Sequence, residues 1–247
     1  MTKSRGNKWS FSRINTFDNC PYEFELLYLR GTEGEQNVFA EFGSFVHKIL
    51  EMYYKGELTE FDLTNYYAEH YKENVVSPFP KFISGDKYYS DGLKYLSEFT
   101  SVNDEYEVLG VEKFITTEID GEQFVGIIDL LLKDKKTGGP VVYDHKSKGE
   151  FKSKKELAHY LRQLYLYTHW VYENYGVFPT KLVFNLFRKN EKIECDFDEE
   201  EYENTLKWFK DKIAEIKSTK EFKEKDVADF YCKNLCSCRN FCEKGLE

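Results

Sequence analysis

The stretch PVVYDHKSKG, residues 140–149, decides the fold because it joins an apolar strand to a cluster of polar residues. The β-branched pair Val141 and Val142 is typical of a buried β-strand. Asp144 and Lys146 follow two residues apart, and alternate residues of a strand point to the same side of the sheet. The sequence therefore places a carboxylate and an amine side by side at the end of a buried strand.

The segments around this strand predict an α/β fold with a central sheet flanked by helices. The turn signals DG and KTGG separate this strand from two earlier β-rich runs. The predicted elements of this region follow the order β-β-β-α-β-β and end with an amphipathic helix. The strands are 106–119, 122–133, 140–146, 181–189 and 192–197. The helices are at about 154–175 and about 198–217.

The first 100 residues read as mostly helical. Ser12 and Pro21 are expected to begin two short helices, a third is expected over 41–55, and 62–100 reads as helical with a loop in the middle. We find no internal repeat or flexible linker in the sequence. The prediction is a single domain over 1–247, with a helical part (1–100), a core (105–217) and a cysteine-rich tail (218–247).

Composition limits the class of protein. The chain is 41% hydrophobic, which suffices for a core, and its net charge of −9 argues mildly against extended coating by nucleic acid. There is no apolar run of 18 residues, and the first ten residues lack the apolar core of a signal peptide. We therefore expect a soluble, cytoplasmic protein with no membrane partner.

Asp129 ends the apolar run of the second strand, and a hairpin would bring it opposite Asp144. Two facing carboxylates repel, and a divalent cation such as Mg²⁺ or Mn²⁺ would relieve that repulsion. Lys146 beside such an ion could orient or deprotonate a water and offset charge on a phosphate, as phosphodiester hydrolysis requires. On spacing alone, however, an acid at a strand end is more often a solvated edge or turn residue.

The cysteines are unevenly distributed. Cys20 and Cys195 are isolated, whereas Cys232, Cys236, Cys238 and Cys242 lie within the last 16 residues. In a cytosolic protein such a cluster favours a metal centre over disulfides, and Cys195 reads as an incidental thiol.

Six motifs occur in an order that resembles one family. They are FSRINTFDNCPYEFELLYLRG (11–31), GSFVH (43–47), GIIDLLL (126–132), VVYDHKSKG (141–149), RQLYLY (162–167) and YCKNLCSCRNFC (231–242). The sequence resembles the RecB-like exonuclease branch of the PD-(D/E)XK nuclease superfamily, which includes CRISPR-associated and phage nucleases. The resemblance covers nearly the whole chain and implies a restriction-endonuclease-like core with a mixed sheet. It also implies a bacterial, archaeal or phage origin.

The resemblance implies a role for each motif residue. Lys146 would be the catalytic lysine, and Gln163 and Tyr167 would line the site from one helix face. The metal ligands would be His47, Asp129, Asp144 and the backbone carbonyl of His145. Glu112, on the preceding strand, could add a carboxylate but is left out of the predicted set.

Lys148 and Lys152 come just after the strand that carries Asp144 and Lys146. Together with Arg13 they would grip a nucleic-acid strand, although a solvated loop explains the lysines about as well. The resemblance further implies that Cys20, Cys232, Cys236 and Cys242 hold a [4Fe–4S] cluster, with Zn²⁺ as the chemical alternative and Cys238 as the competing ligand.

The expected function is that of a Mg²⁺- or Mn²⁺-dependent DNA exonuclease acting on single-stranded ends. A protein partner in a recombination, repair or CRISPR adaptation complex is a candidate. The alternative is an inactive nuclease-fold subunit that binds DNA or serves as a scaffold. RNA stays open as a substrate, because nothing in the sequence reads a 2′-hydroxyl. Endonucleolytic cleavage stays open as well.

Overall fold

The computed structural model describes residues 8–246 of the chain. Its strands are β1 (Lys8–Trp9), β2 (Tyr106–Ile119), β3 (Glu122–Asp134), β4 (Pro140–Lys146), β5 (Lys181–Leu186) and β6 (Glu191–Asp196). Its α-helices are α1 (Phe11–Asn19), α2 (Pro21–Phe24), α3 (Val38–Tyr54), α4 (Leu63–Asn74), α5 (Gly85–Ser97), α6 (Lys154–Tyr175), α7 (Glu199–Ser218) and α8 (Glu243–Leu246).

The strands form one mixed sheet in the order β1-β3-β4-β5-β6, and β2 pairs with β3. β4 and β5 run parallel, whereas β3 with β4 and β5 with β6 run antiparallel. A parallel pair needs a crossover connection, and α6 provides it between β4 and β5. The predicted α/β fold, with a mixed sheet flanked by helices, is confirmed.

The chain divides into two compact units, each built from segments distant in sequence. The first unit contains residues 8–37, 116–125 and 203–246, and the second contains 38–115 and 126–202. The organisation as one domain stays a prediction.

The second unit has two apolar clusters. The helices α3, α4 and α5 meet around the buried side chains of Phe42, Ile49 and Tyr67. One face of the sheet contributes a second cluster around Leu132 and Tyr143. The two clusters fix α3 and strands β3 to β5, which carry the residues of the candidate site.

In the first unit, the N-cap of α1 lies two residues earlier than expected. Ser10, not Ser12, is its cap, because the Ser10 Oγ accepts a hydrogen bond from the backbone N–H of Arg13 at 3.1 Å. Phe11 is buried at the first helical position, which fixes the start of the helix there.

Most predicted boundaries agree with the structure within a few residues. β5 is shorter than expected, since the chain turns after Leu186 and Asn190 adopts a left-handed conformation with φ of 53°. The two-residue strand β1 was not predicted. Within residues 8–246 no helix is both long and apolar enough to cross a membrane.

Candidate active site

Two carboxylates lie together where β3 and β4 approach each other in the second unit. The antiparallel register pairs Leu130 with Tyr143, and Asp129 and Asp144 are the residues immediately beyond this pair. Both carboxylates are buried. The backbone N–H of His145 donates a 2.6 Å hydrogen bond to the Asp129 Oδ2 and so fixes that carboxylate against β4.

Glu112, which the sequence analysis left out, adds a third carboxylate. One ligand atom each from His47, Glu112 and Asp129 lie within 4.8 Å of one another. The Asp120-Gly121 dipeptide was the sequence signal for this position, because it predicts a two-residue hairpin turn. Both residues have positive φ, 54° and 79°, as such a turn requires. Counting back from the turn brings Glu112 opposite Asp129.

His47 reaches the carboxylates from α3. Its Nδ1 lies 3.6 Å from the Asp129 Oδ2 and 3.9 Å from the Glu112 Oε1. Its Nε2 lies 2.9 Å from the backbone oxygen of His145, which can only accept, so the Nε2 carries a proton in this arrangement.

The close approach of α3 to β4 depends on a glycine in the GSFVH motif. A Cβ at Gly43 would lie 3.1 Å from the Ser147 Oγ. A larger residue would require Ser147 or α3 to shift by a few tenths of an ångström, and His47 lies four residues later on the same helix.

Burial and charge together shift the acid–base properties of the site. Burial, followed by the charge of Asp144, raises the pKa of Asp129 to about 7, although His47 and Lys146 favour its ionised form. Burial lowers the pKa of His47, but the hydrogen bond to Glu112 and the surrounding carboxylates outweigh it, so the net pKa is raised. The site thus concentrates negative charge that a cation would neutralise.

Lys146 is held by a chain of polar contacts. Its Nζ lies 2.7 Å from the Asp144 Oδ2 and donates a 2.9 Å hydrogen bond to the Gln163 Oε1. The Gln163 amide in turn donates to the Asp144 Oδ1 at 3.0 Å and to the Tyr167 Oη at 2.9 Å. The structure therefore brings together the four residues that the sequence placed on β4 and α6.

Tyr167 packs closely against the backbone of β3. A Cβ at Gly126 would lie 2.4 Å from the Tyr167 ring, so the glycine makes room for the ring. Burial raises the pKa of Tyr167 far above its ordinary value, with the charge of Asp144 as the second cause. The hydroxyl is therefore neutral at physiological pH.

The donor set suits a hard divalent cation. Two carboxylates and one imidazole converge within 4.8 Å, and oxygen ligands with a single imidazole are compatible with Mg²⁺ and Mn²⁺. The backbone oxygen of His145 lies at the Nε2 of His47, whereas the carboxylates lie at its Nδ1. Asp144 lies beside this group, and its carboxylate forms an ion pair with Lys146. The residues fit a divalent ion, with Glu112 as an addition to the predicted ligands.

The predicted nucleic-acid contacts lie in different surroundings. Lys148 contacts the Glu156 Oε1 at 2.7 Å and lies 4.9 Å above the Tyr160 ring, whereas Lys152 is exposed. Arg13 belongs to the first unit, where its guanidinium packs over the ring of Trp9 at 4.8 Å.

The cysteine tail belongs to the first unit. A single cavity is lined by Cys20, Cys232, Cys236, Cys238 and Cys242. Among the described residues, however, no three cysteine sulfurs lie as close together as the ligand atoms of His47, Glu112 and Asp129. Cys195 lies on β6, in the second unit.

Comparison with known proteins places the chain in a family. The model of the PD-(D/E)XK nuclease superfamily matches residues 8–243, and the chain belongs to this superfamily.

Among solved structures, the chain is similar to a candidate exonuclease from Eubacterium rectale, with a TM-score of 0.53 and 13% identity over 85% of this chain and 80% of the other. That likeness supports the fold alone. The structure of SSO0001 matches with 14% identity over 98% of this chain and 89% of the other, but its TM-score of 0.41 is too low to carry an argument. No curated protein matches the chain.

Proposed function

We propose that the protein is a Mg²⁺- or Mn²⁺-dependent DNA exonuclease of the RecB-like branch, acting on single-stranded ends. The observation that carries the proposal is the convergence of His47, Glu112 and Asp129 beside the Asp144–Lys146 pair. Each of these groups has a task in hydrolysis of a phosphodiester.

When bound, the divalent ion supplies positive charge at the scissile phosphate and lowers the pKa of a water. His47, Glu112 and Asp129 would hold it, and the His145 carbonyl, which the family resemblance counts as a ligand, would orient the His47 ring through its contact with the Nε2. The ammonium group of Lys146 would stabilise the charge that builds up on the phosphate and orient the attacking water. The water oxygen would bond to phosphorus and give up a proton, the bond to the leaving oxygen would break, and the leaving oxygen would take up a proton.

Gln163 and Tyr167 support this arrangement as positioning residues. The Gln163 side chain bridges Lys146 and Asp144, so neither can rotate away without breaking a hydrogen bond. Lys148 and Lys152 follow β4 directly and would hold the phosphates of the strand near the lysine. Arg13 is a weaker candidate for this task, because its guanidinium already packs on aromatic rings.

The test uses single-stranded DNA labelled at either end, with a circular strand as a second substrate. We expect degradation with Mn²⁺, none with EDTA, none with Lys146→Met, and full activity with Lys133→Met, which changes an exposed lysine of β3. Loss of 5′ or 3′ label first gives the polarity. An intact linear strand under every metal would contradict the proposal, and a cleaved circle would identify an endonuclease.

We propose further that the cysteine cavity holds a [4Fe–4S] cluster bound by Cys20, Cys232, Cys236 and Cys242. The four thiolates of such a cluster bind four different iron atoms, so they lie farther apart than thiolates sharing one zinc ion. The lining of one cavity by all four of these cysteines supports a shared metal centre there.

Cys238 competes with Cys236 for the fourth position. Burial raises the pKa of both thiols, and Cys236 also hydrogen-bonds to the buried Glu23. Single serine variants distinguish them, because only loss of a ligand abolishes the broad absorbance near 400 nm typical of such clusters. We expect Cys20→Ser and Cys236→Ser to lose it, and Cys238→Ser and Cys195→Ser to keep it. A colourless wild-type protein containing one zinc would contradict the cluster.

A further inference from the structure

A row of three polar residues crosses the sheet beside the candidate active site. His145 of β4 is paired in register with Asn185 of β5, and Asn185 with Lys192 of β6. Residues paired in this way lie on the same face of a sheet. Asp144 and Lys146 precede and follow His145, so the row lies on the opposite face from these two residues.

The row lines a cavity of about 140 Å³. A buried water needs only about 10–15 Å³ measured in this way, so there is room for a small polyatomic ligand. Lys192 and Asn190 are exposed, which places the mouth of the cavity at β6. The lining residues are Tyr54, Tyr95, Phe99, Thr100, Tyr143, His145, Asn185, Asn190 and Lys192.

The hydrogen bonds of the row determine which ring nitrogen of His145 carries a proton. The Asn185 Nδ2 can only donate, and it lies 2.9 Å from the His145 Nδ1, which therefore accepts. In the neutral ring the proton must then be on Nε2. The Asn185 Nδ2 also donates to the Tyr95 Oη at 2.7 Å, so the hydrogen of that hydroxyl is available as a further donor.

The Nε2 of His145 is an unsatisfied donor. His145 is only 4% exposed, and its Nε2 has no hydrogen-bond partner within residues 8–246. A buried N–H without a partner is destabilising, so a partner that enters the cavity would be stabilising. That partner must be an acceptor.

The remaining charge around the cavity favours an anion. Lys192 lines the cavity and is paired in register with Asn185. Two acids lie near the lining: Glu194, two residues from Lys192 on β6, is paired with Lys181 at 2.6 Å, and the Glu98 Oε2 accepts a hydrogen bond from the Asn190 Nδ2 at 3.4 Å. Donors and one lysine therefore dominate the lining.

We infer that this cavity is a binding site for a phosphate group, which would accept hydrogen bonds from the His145 Nε2 and the Tyr95 hydroxyl and pair with Lys192. Inorganic phosphate and a nucleoside 5′-monophosphate both present this oxyanion, and the experiment below distinguishes them. The site is distinct from the metal centre and does not depend on nuclease activity.

The site is connected to the metal centre through the main chain of one residue. The N–H of His145 donates to Asp129 and its carbonyl oxygen contacts the Nε2 of His47. A ligand that holds the His145 ring therefore also holds the two backbone atoms that position those metal-binding side chains. Occupancy of the cavity would bias the geometry of the active site.

Isothermal titration calorimetry on the full chain in EDTA tests the inference, with inorganic phosphate, a nucleoside 5′-monophosphate and the corresponding nucleoside as probes. We expect saturable binding of phosphate, weakened about tenfold or more by Lys192→Gln, because a charge-assisted hydrogen bond is lost. Lys189→Gln makes the same change in net charge on an exposed lysine outside the cavity and should bind like the wild type.

Lys146→Met identifies binding at the active site instead. Retained binding in this variant together with loss in Lys192→Gln supports the inference. Loss in Lys146→Met alone, or equal binding in all variants, overturns it, and so does an absence of saturable binding, which would mean that the cavity holds water only. Tighter binding of the monophosphate than of phosphate, with no binding of the nucleoside, would identify a nucleotide as the ligand.

Discussion

Replacing Asp129 by asparagine should stabilise the metal-free protein while removing its metal site. The carboxylate is buried opposite Asp144, and in the absence of a cation its ionisation is opposed by burial and by that second charge. Asparagine has nearly the same shape, and its carbonyl oxygen can still accept the hydrogen bond from the His145 N–H.

The size of the effect follows from the pKa. Asp129 shifts from its ordinary value of 3.8 to about 7, and each pKa unit corresponds to about 1.4 kcal/mol. Because the folded state holds its proton more tightly than the unfolded state, the wild type loses stability as the pH rises from about 4 through 7. The asparagine of Asp129→Asn cannot ionise. The free energy of unfolding of this variant should therefore exceed that of the wild type by on the order of 4 kcal/mol at pH 8 and by almost nothing at pH 4.

Thermal unfolding in EDTA between pH 4 and 8 measures this difference. For a chain of this size the gain corresponds to a rise in Tm of about 10 °C at pH 8. Asp134→Asn is the matched control, because the N–H groups of Thr137 and Lys136 lower the pKa of Asp134 and this variant should gain nothing. Added Mn²⁺ should stabilise the wild type and not Asp129→Asn. Equal Tm values for wild type and variant at pH 8 in EDTA would refute the reasoning.

Three further substitutions test the packing and the polar contacts. Gly126→Ala should cost about 1–3 kcal/mol of stability in a urea titration, because the new Cβ overlaps the Tyr167 ring at 2.4 Å; an unchanged midpoint would contradict that packing. Glu41→Ala should cost about 2 kcal/mol or more, since the Glu41 carboxylate accepts hydrogen bonds from the N–H and the hydroxyl of Ser77, and Glu41→Gln should recover part of this loss. Gln163→Ala should lower kcat about 10–100-fold, as loss of a supporting residue does, with the KM for DNA little changed; a change in KM alone would assign Gln163 to DNA binding.

The sheet could be predicted because its signals are local. β4 has the bounds that its sequence indicated, Pro140–Lys146, and α6 has the bounds Lys154–Tyr175 that the apolar stripe predicted. The DG turn fixes the β2–β3 hairpin, since only two residues separate the strands and both have positive φ. Turn chemistry and periodicity therefore determine most of the fold.

The two units and the surroundings of Arg13 could not be predicted in this way. A basic residue near an N-terminus looks the same in sequence whether it contacts phosphate or aromatic rings. Only the tertiary structure brings Trp9 and Tyr28 to its guanidinium, at 4.8 and 5.0 Å. Burial then lowers the pKa of Arg13, as expected for a guanidinium that stabilises packing.

The position of Glu112 could be predicted from the sequence, but its backbone conformation could not. The hairpin count predicts its position opposite Asp129, but its backbone has a φ of 46°, in the left-handed region that glutamate rarely adopts. That conformation costs about 1–2 kcal/mol for a residue with a Cβ. The strain occurs within β2 at the residue whose carboxylate meets His47 and Asp129, and strained residues concentrate at functional sites. The strained backbone of Glu112 is thus an argument, independent of the motif residues, that this carboxylate belongs to the metal centre.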